Sequence, residues 1–531
     1  MQTAVDKASK IIFKTITWIL IAIYGFLSIQ SIIGTTHIDM NLNGFKEYAV
    51  LKMDNLLLTV ILAAIFLAVI ILIDYIFGIE NINTPKLKSG VTIFVIAAGI
   101  VWVLMMRGYP VDDQTIVQRS AADFIAGNYS TLEKGEYLYK FPHQLGITFI
   151  FECMYRIFGP KNYQAIMILN VIMAAGVLNN LFKILAMRTD NKKVHNMYWI
   201  MSAGCLQLVF YTFFVYGTII GLFFMTGGLY LLMKYYQSGK YRYYILGFLA
   251  LAFAIIAKSN FQIFLIAVFL VMIFAAIKDK KYKEIIFALV LLLALASPNL
   301  IKEHYEQRSG IESSKGTPAS LFVAMGLQEG NKESGCGADG WYNAYNSATM
   351  NSVECDYDEA NDIGKENIAG RMKEFAKNPG TAVGFAFEKI VTQWNEPTFQ
   401  TFWMLKIRDN HDEISEVADS LLYGDANKVL QKYMKIYLIF MWVGSFIYYY
   451  VNRKEMDIWK LLTGIVVIGG FIFHLFWEGK ALYIMPYFVM SMATGSQGVL
   501  ILVNWIEKKL KLLPKGMREN AVSESENIVE E

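Results

Sequence analysis

Apolar residues in this chain do not alternate with polar ones; they run in long blocks separated by short polar intervals. Blocks of about 17 to 25 residues recur along most of the length, which is what a helix needs to cross a bilayer. Read as helices, they predict spans near 11 to 33, 55 to 78, 90 to 107, 163 to 187, 197 to 215, 218 to 236, 243 to 257, 260 to 277, 284 to 301, 432 to 451, 458 to 476 and 481 to 504. One shorter run, "LGITFIFECMYRIF" at 145 to 158, carries Glu152 and Arg156. Its length suits a re-entrant or interfacial helix better than a span. The pattern predicts an all-α polytopic membrane protein with about twelve transmembrane helices. It adds an interfacial helix in the first outer loop and a mixed extracytoplasmic loop domain.

The polar intervals set the threading. If 145 to 158 does not cross, the basic segments "KLK", "RTDNKK", "KYYQSGKYR", "KDKKYK", "NRK" and "EKKLKLLPKGMR" all fall on one side. Lysine and arginine concentrate in cytoplasmic loops, so that side is predicted to be the cytoplasm, with both ends there. The intervals 108 to 162, 302 to 430 and 477 to 482 then share the outer face. This divides the chain into 1 to 89 (two N-terminal spans), 90 to 301 (a core with outer loop 108 to 162), 302 to 430 (a loop domain), 431 to 505 (C-terminal spans) and 506 to 531 (a cytoplasmic tail). The run at 11 to 33 is too long for a signal core and lacks a small-x-small site, so it reads as a retained span. The acidic "SESENIVEE" end is predicted to be disordered.

Composition agrees: 55% of residues are hydrophobic, 18% charged, and mean hydropathy is +0.38. The net charge of +3 is small and the basic residues gather between spans, which excludes a nucleic-acid face. Of four cysteines, Cys153 and Cys205 lie in apolar segments and read as packing thiols. Cys336 and Cys355 either form an outer-face disulfide, worth about 3 kcal/mol, or stay as surface thiols.

Chemistry concentrates in the outer intervals. In "RGYPVDDQTIVQRSAADFI", Asp112 and Asp113 precede a helix with Val117, Ala121, Phe124 and Ile125 on one face. Asp113 stands where an N-cap would, yet a cap needs one carboxylate and two are present. A carboxylate at the membrane surface would also serve as a general base toward an acceptor hydroxyl. "YLYKFPHQLG" offers Lys140 and His143, suited either to a phosphate or to headgroup anchoring, and "HLFWEGKALYIMPYF" offers Glu478, Lys480 and Tyr483. No nucleotide phosphate loop, dinucleotide glycine pattern, H-E-x-x-H or clustered Cys/His spacing occurs. Metal sites are assigned to none of these residues, although metal dependence stays open. Mid-span charges are few, which weakens a transporter reading.

The stretches "VDDQTIVQRSAADFIAGNYS", "YLYKFPHQLG", "GWYNAYN", "QWNEPTF" and "WEGKALYIMPYF" resemble the C-type (GT-C) membrane glycosyltransferases. The nearest branch is that of the protein O-mannosyltransferases and the lipid A aminoarabinose transferase (glycosyltransferase family 39-like), in a Gram-positive bacterial form. The resemblance runs from about 90 to 505. It implies a many-span helical fold, a catalytic aspartate in the first outer loop, and a polyprenyl-phosphate-linked sugar donor, with no separate cofactor. On this resemblance Asp113 is the catalytic residue, with Asp112 as neighbour and substitute. Lys140, His143 and Lys480 are donor-phosphate ligands, Lys480 standing in E-x-K-x-x-Y-x-x-P where relatives carry arginine. Arg119, Tyr139, Gln144, Trp341, Tyr342, Trp394, Glu478 and Tyr483 are substrate-binding candidates. The expected acceptor is a cell-envelope glycan, lipid or protein hydroxyl on the extracytoplasmic face of the cell membrane. Competing readings are a lipid-linked saccharide flippase and a non-catalytic envelope-assembly partner.

Overall fold

A computed structural model describes residues 2–39, 47–330, 337–407 and 414–512. Cys336 and the acidic tail from 513 onward, for which a disulfide and disorder were predicted, lie outside the described residues. Cys355 is buried.

The long apolar runs become helices because an apolar segment in a membrane must close its backbone hydrogen bonds within itself. Nine described helices are long and apolar enough to cross: Asp6–Ile33, Leu56–Phe77, Thr84–Met106, Tyr163–Ala186, Thr218–Ser238, Ser259–Lys278, Lys283–Ser309, Asp425–Val451 and Ile458–Phe476. A tenth is counted if Ala481–Met490 and Met492–Leu510, which meet at a 61° bend, form one span. The protein is therefore a helical, multi-pass membrane protein, but three of the twelve predicted spans, this bent one among them, do not pass as long straight helices. The run at 243 to 257 is the shorter apolar helix Tyr241–Ala257. The run at 197 to 215 is broken at Gly204 into Lys192–Ala203 and Leu206–Phe210. Carbonyls freed at that break are satisfied from the neighbouring helix: Tyr437 donates to Met201 O at 2.7 Å and Tyr433 to Gly204 O at 2.7 Å. That neighbour in turn contacts the last helix through glycine. A Cβ on Gly498 would sit 1.6 Å from Gly444 O, so the two backbones touch directly.

The bundle has two distinct ends. At one, Lys193 Nζ lies 2.6 Å from Asp74, 3.7 Å from Glu80 and 3.9 Å from Glu507. Tyr236 donates to Asp279 there at 2.9 Å and its ring centroid is 4.9 Å from that of Trp459. The described residues of the predicted basic loops thus gather at this end. The opposite end carries the Asp113 helix, the short helix Leu145–Phe158 and the long interval after Ser309.

Leu145–Phe158 is not among the helices long and apolar enough to cross. It packs on Asp113–Ile125 and is pinned by buried Glu152, which accepts hydrogen bonds from Arg156 Nη2 at 2.6 Å, Arg308 Nη1 at 2.8 Å and Tyr305 at 2.7 Å. The described part of the interval 302 to 430 joins helices by irregular turns, with Tyr357–Lys377 and Pro379–Trp394 its longest helices. In the second of these Phe385, Lys389, Val391 and Trp394 face inward, and Phe387 is 40% exposed.

One feature was not predicted at all. Gly34–Asp39 and Tyr48–Met53 pair as an antiparallel hairpin between the first two spans, forming the one two-stranded sheet among the described residues. It is tied to the loop helices by Thr36 N to Asn395 O at 3.1 Å and Asn395 Nδ2 to Gly34 O at 2.8 Å.

Candidate functional site

The chain turns into the Asp113–Ile125 helix at Asp112, whose φ of 47° is a conformation that a non-glycine residue adopts only under local strain. Asp112 holds the cap position but makes no side-chain cap bond, and Asp113 is the first helical residue. Neither carboxylate is spent on capping.

Asp113 faces a cleft. It keeps accessible surface there, yet the walls are close enough that desolvation raises its carboxyl above the usual range; Lys480, Tyr137 and Lys258 act in the opposite direction. The Tyr137 hydroxyl is within hydrogen-bond reach of Asp113 and lies 3.1 Å from that of Tyr216. Three segments far apart in sequence meet at this point. Lys258, between Tyr241–Ala257 and Ser259–Lys278, donates to Tyr216 O at 3.5 Å and sits 5.1 Å from the Tyr216 ring centroid and 5.8 Å from that of Tyr483. Burial and the nearby Lys480 lower its ammonium to about 8.

Lys480 enters from the corner after Ile458–Phe476. That corner is held by backbone pairing, Gly479 N to Gly340 O at 2.7 Å and Tyr342 N to Gly479 O at 3.2 Å. The pairing lays the Tyr342 ring 4.5 Å from Lys480 Nζ. Trp341, fully buried and donating to Thr392 at 2.9 Å, anchors the loop that supplies Tyr342. Lys480 also forms an ion pair of 2.7 Å with Glu47 of the hairpin. Burial disfavours the Lys480 charge, but Glu47 and Glu478 more than offset it and hold the ammonium above the usual lysine range. Burial raises Glu47 in turn, and pushes Glu478 up to about 7 although Lys480 and the 3.0 Å hydrogen bond from Tyr483 oppose it. The cleft thus gathers Asp112, Asp113, Glu47 and Glu478 around two lysines, with tyrosine rings on its walls.

Of the residues predicted from sequence, the fold brings together Asp112, Asp113, Lys480, Glu478, Tyr483 and Tyr342. His143 and Gln144 border the cleft, their side chains 3.2 Å apart; His143 keeps accessible surface, and desolvation by the surrounding walls, then Lys258, acts to lower its imidazole below the usual value. Lys140 is not part of the cleft, its ammonium donating to Asn351 of the loop helices at 3.1 Å. Tyr139 packs beside Leu321 and Met350, and Arg119 points to solvent with its nearest acid, Asp123, at 3.8 Å. Trp394 is buried among Trp442, Phe471 and Tyr487. In "QWNEPTF", Glu396 accepts from Thr398 N at 3.0 Å and Gln400 N at 2.6 Å, so this motif organises a turn.

Four members escaped the sequence reading. Lys258 leaves a faint signal, a lone lysine between two apolar runs at the end poor in basic loops. Tyr137 stands in "YLYKFPHQLG" but is not singled out there, and Glu47 and Tyr216 leave no signal, because only tertiary contact brings them to Asp113. Among the described residues no group of three His, Cys, Asp or Glu side chains is placed to hold a metal ion.

Residues 142–301 match the model of the dolichyl-phosphate-mannose-protein mannosyltransferase family. This is shorter than the resemblance seen along 90 to 505, and it contains Lys258, Tyr216 and His143 but neither Asp113 nor Lys480. No curated protein and no solved structure matches the chain. Over that stretch, this multi-pass membrane protein is similar to a family of membrane glycosyltransferases that use a lipid-linked sugar.

Proposed function

We propose that this protein transfers a sugar from a polyprenyl-phosphate-linked donor to a hydroxyl of a cell-envelope acceptor, with inversion, and that Asp113 is the general base. The observation that carries the reading is the convergence of Asp113, Lys480 and Lys258 in one cleft at the end of the bundle away from the basic loops.

The donor already has a phosphate leaving group, so the chemistry needs a base for the nucleophile and positive charge for the departing anion. Asp113 takes the acceptor hydroxyl proton as the oxygen attacks the anomeric carbon from the face opposite the phosphate. The carbon–oxygen bond to phosphate breaks, its electron pair leaves with the phosphate, and Lys480 and Lys258 stabilise the charge. In this conformation Glu47 occupies Lys480, so the donor phosphate takes that lysine over from a carboxylate.

The placement is the extracytoplasmic face of the cell membrane, supported by the gathering of the basic loops at the other end. Twelve crossings are supported by chain geometry. Lys193 stands at the basic end and Tyr216 in the cleft, so the broken pair Lys192–Ala203 and Leu206–Phe210 traverses the bundle, and Tyr241–Ala257 does the same between the Ser238 turn and Lys258.

Asp113→Asn tests the proposal. With purified protein and lipid-linked sugar in detergent, turnover should fall by about 10²- to 10⁴-fold at unchanged melting temperature. Near-normal turnover would remove Asp113 as the base. Consumption of donor without a sealed compartment is also something a flippase would not produce.

A further inference from the structure

At the end of the bundle opposite Asp113, two adjoining cavities of about 310 and 360 Å³ share Arg188 and Lys460. Both volumes suit a small ligand or a lipid headgroup. Arg188 follows the span Tyr163–Ala186, and Lys460 lies in the first turn of Ile458–Phe476. The Nε and Nη2 atoms of Arg188 are buried with no hydrogen-bond partner among the described residues. A guanidinium held that way is costly unless something accepts from it.

The surrounding charges favour an anion. Lys460 donates to Glu455 O at 3.0 Å, and neither it nor Arg188 forms an ion pair among the described residues. The two acids nearby line only the smaller cavity, and both are engaged. Asp457 accepts from Trp459 N and Lys460 N at 2.9 and 3.0 Å, and Asp279 accepts from Tyr236 at 2.9 Å. The larger cavity has no acidic residue in its wall; it adds the amides of Asn191, Gln497 and Asn504, with Leu185 and Leu500 beside them.

We propose that the larger cavity is a phosphate-binding site, separate from the Asp113 cleft, in which Arg188 forks two N–H donors onto the phosphate and Lys460 supplies a second charge. Its apolar wall favours a phosphate carried by an anionic lipid of the leaflet at the basic end over a free one. It shares no residue with the proposed transfer reaction and does not depend on that reading.

The test uses the full chain in detergent. Native mass spectrometry measures retention of phosphatidylglycerol against a neutral diglucosyl-diacylglycerol of the same acyl chains; a second arm measures inorganic phosphate binding by equilibrium dialysis without lipid. Wild type should prefer phosphatidylglycerol by about tenfold or more, Lys460→Gln should lose most of that preference, Arg188→Gln should abolish it, and Arg188→Lys should restore part. Saturable inorganic phosphate binding that Arg188→Gln removes would keep the site and make free phosphate its ligand. No lipid preference and no phosphate binding in wild type would overturn the proposal without recourse to any variant. So would a preference unchanged in Lys460→Gln and Arg188→Gln at wild-type melting temperature.

Discussion

Asp113 shows how one carboxylate acquires a role from its neighbours. Burial raises its carboxyl, Lys480 opposes the rise, and Asp112 adds to it. As the proposed general base, Asp113 must be ionised, so activity should fall as pH drops through that raised value. Lys480→Met removes a charge that holds the Asp113 carboxyl down. The acid limb of the kcat profile should therefore move to higher pH, alongside a higher KM for the lipid donor. A lysine that only bound donor would raise KM and leave the limb in place. Both carboxylates of the aspartate pair were legible as candidates in the sequence. The environment that distinguishes them was not, because it comes from Lys258, Tyr137 and Lys480, which stand up to several hundred residues away.

Among elements, the short helix Leu145–Phe158 positions the site without touching it. Its length and its Glu152 and Arg156 predicted an interfacial or re-entrant helix, but no local pattern showed that Arg308 and Tyr305 would close on Glu152 from another helix. Burial acts to raise Glu152, and hydrogen bonds from Arg156, Tyr305 and Arg308 outweigh it, so the carboxyl is held below the usual range. The stabilisation is present above the unfolded-state value, near 4, and is lost as pH falls through the lower folded value. Glu152→Gln should lower stability in detergent by about 2 kcal/mol near pH 7, a figure kept modest because both arginines reach solvent. The cost should shrink in melting curves taken below about pH 4. The hairpin Gly34–Asp39 and Tyr48–Met53 is the opposite case. Its interval lacks an apolar run long enough to draw notice, and only its docking on Asn395 brings Glu47 to Lys480.

At the scale of the molecule, one bundle separates two chemically different ends. Thiol labelling checks the orientation: in a background carrying Cys153→Ser and Cys336→Ser, Lys134→Cys should react with a membrane-impermeant maleimide in intact cells, and Lys240→Cys only after permeabilisation. Both positions are exposed, and they lie at opposite ends of the bundle. The reverse pattern would put the Asp113 cleft in the cytoplasm and end the proposed reaction with a polyprenyl-linked donor at the outer face.

The order of apolar runs and basic intervals determined, with no structure at hand, that the chain is a helical multi-pass membrane protein and which intervals carry its polar chemistry. Bilayer thickness and backbone hydrogen bonding act on each segment separately, so these features are local and can be read locally. Tertiary structure alone decided which charges meet: Lys258 and Glu47 join Asp113 and Lys480, whereas Lys140 and Arg119 do not. Electrostatic partnership depends on distance through space, and in a bundle of this many helices that distance is set by packing, not by separation along the chain.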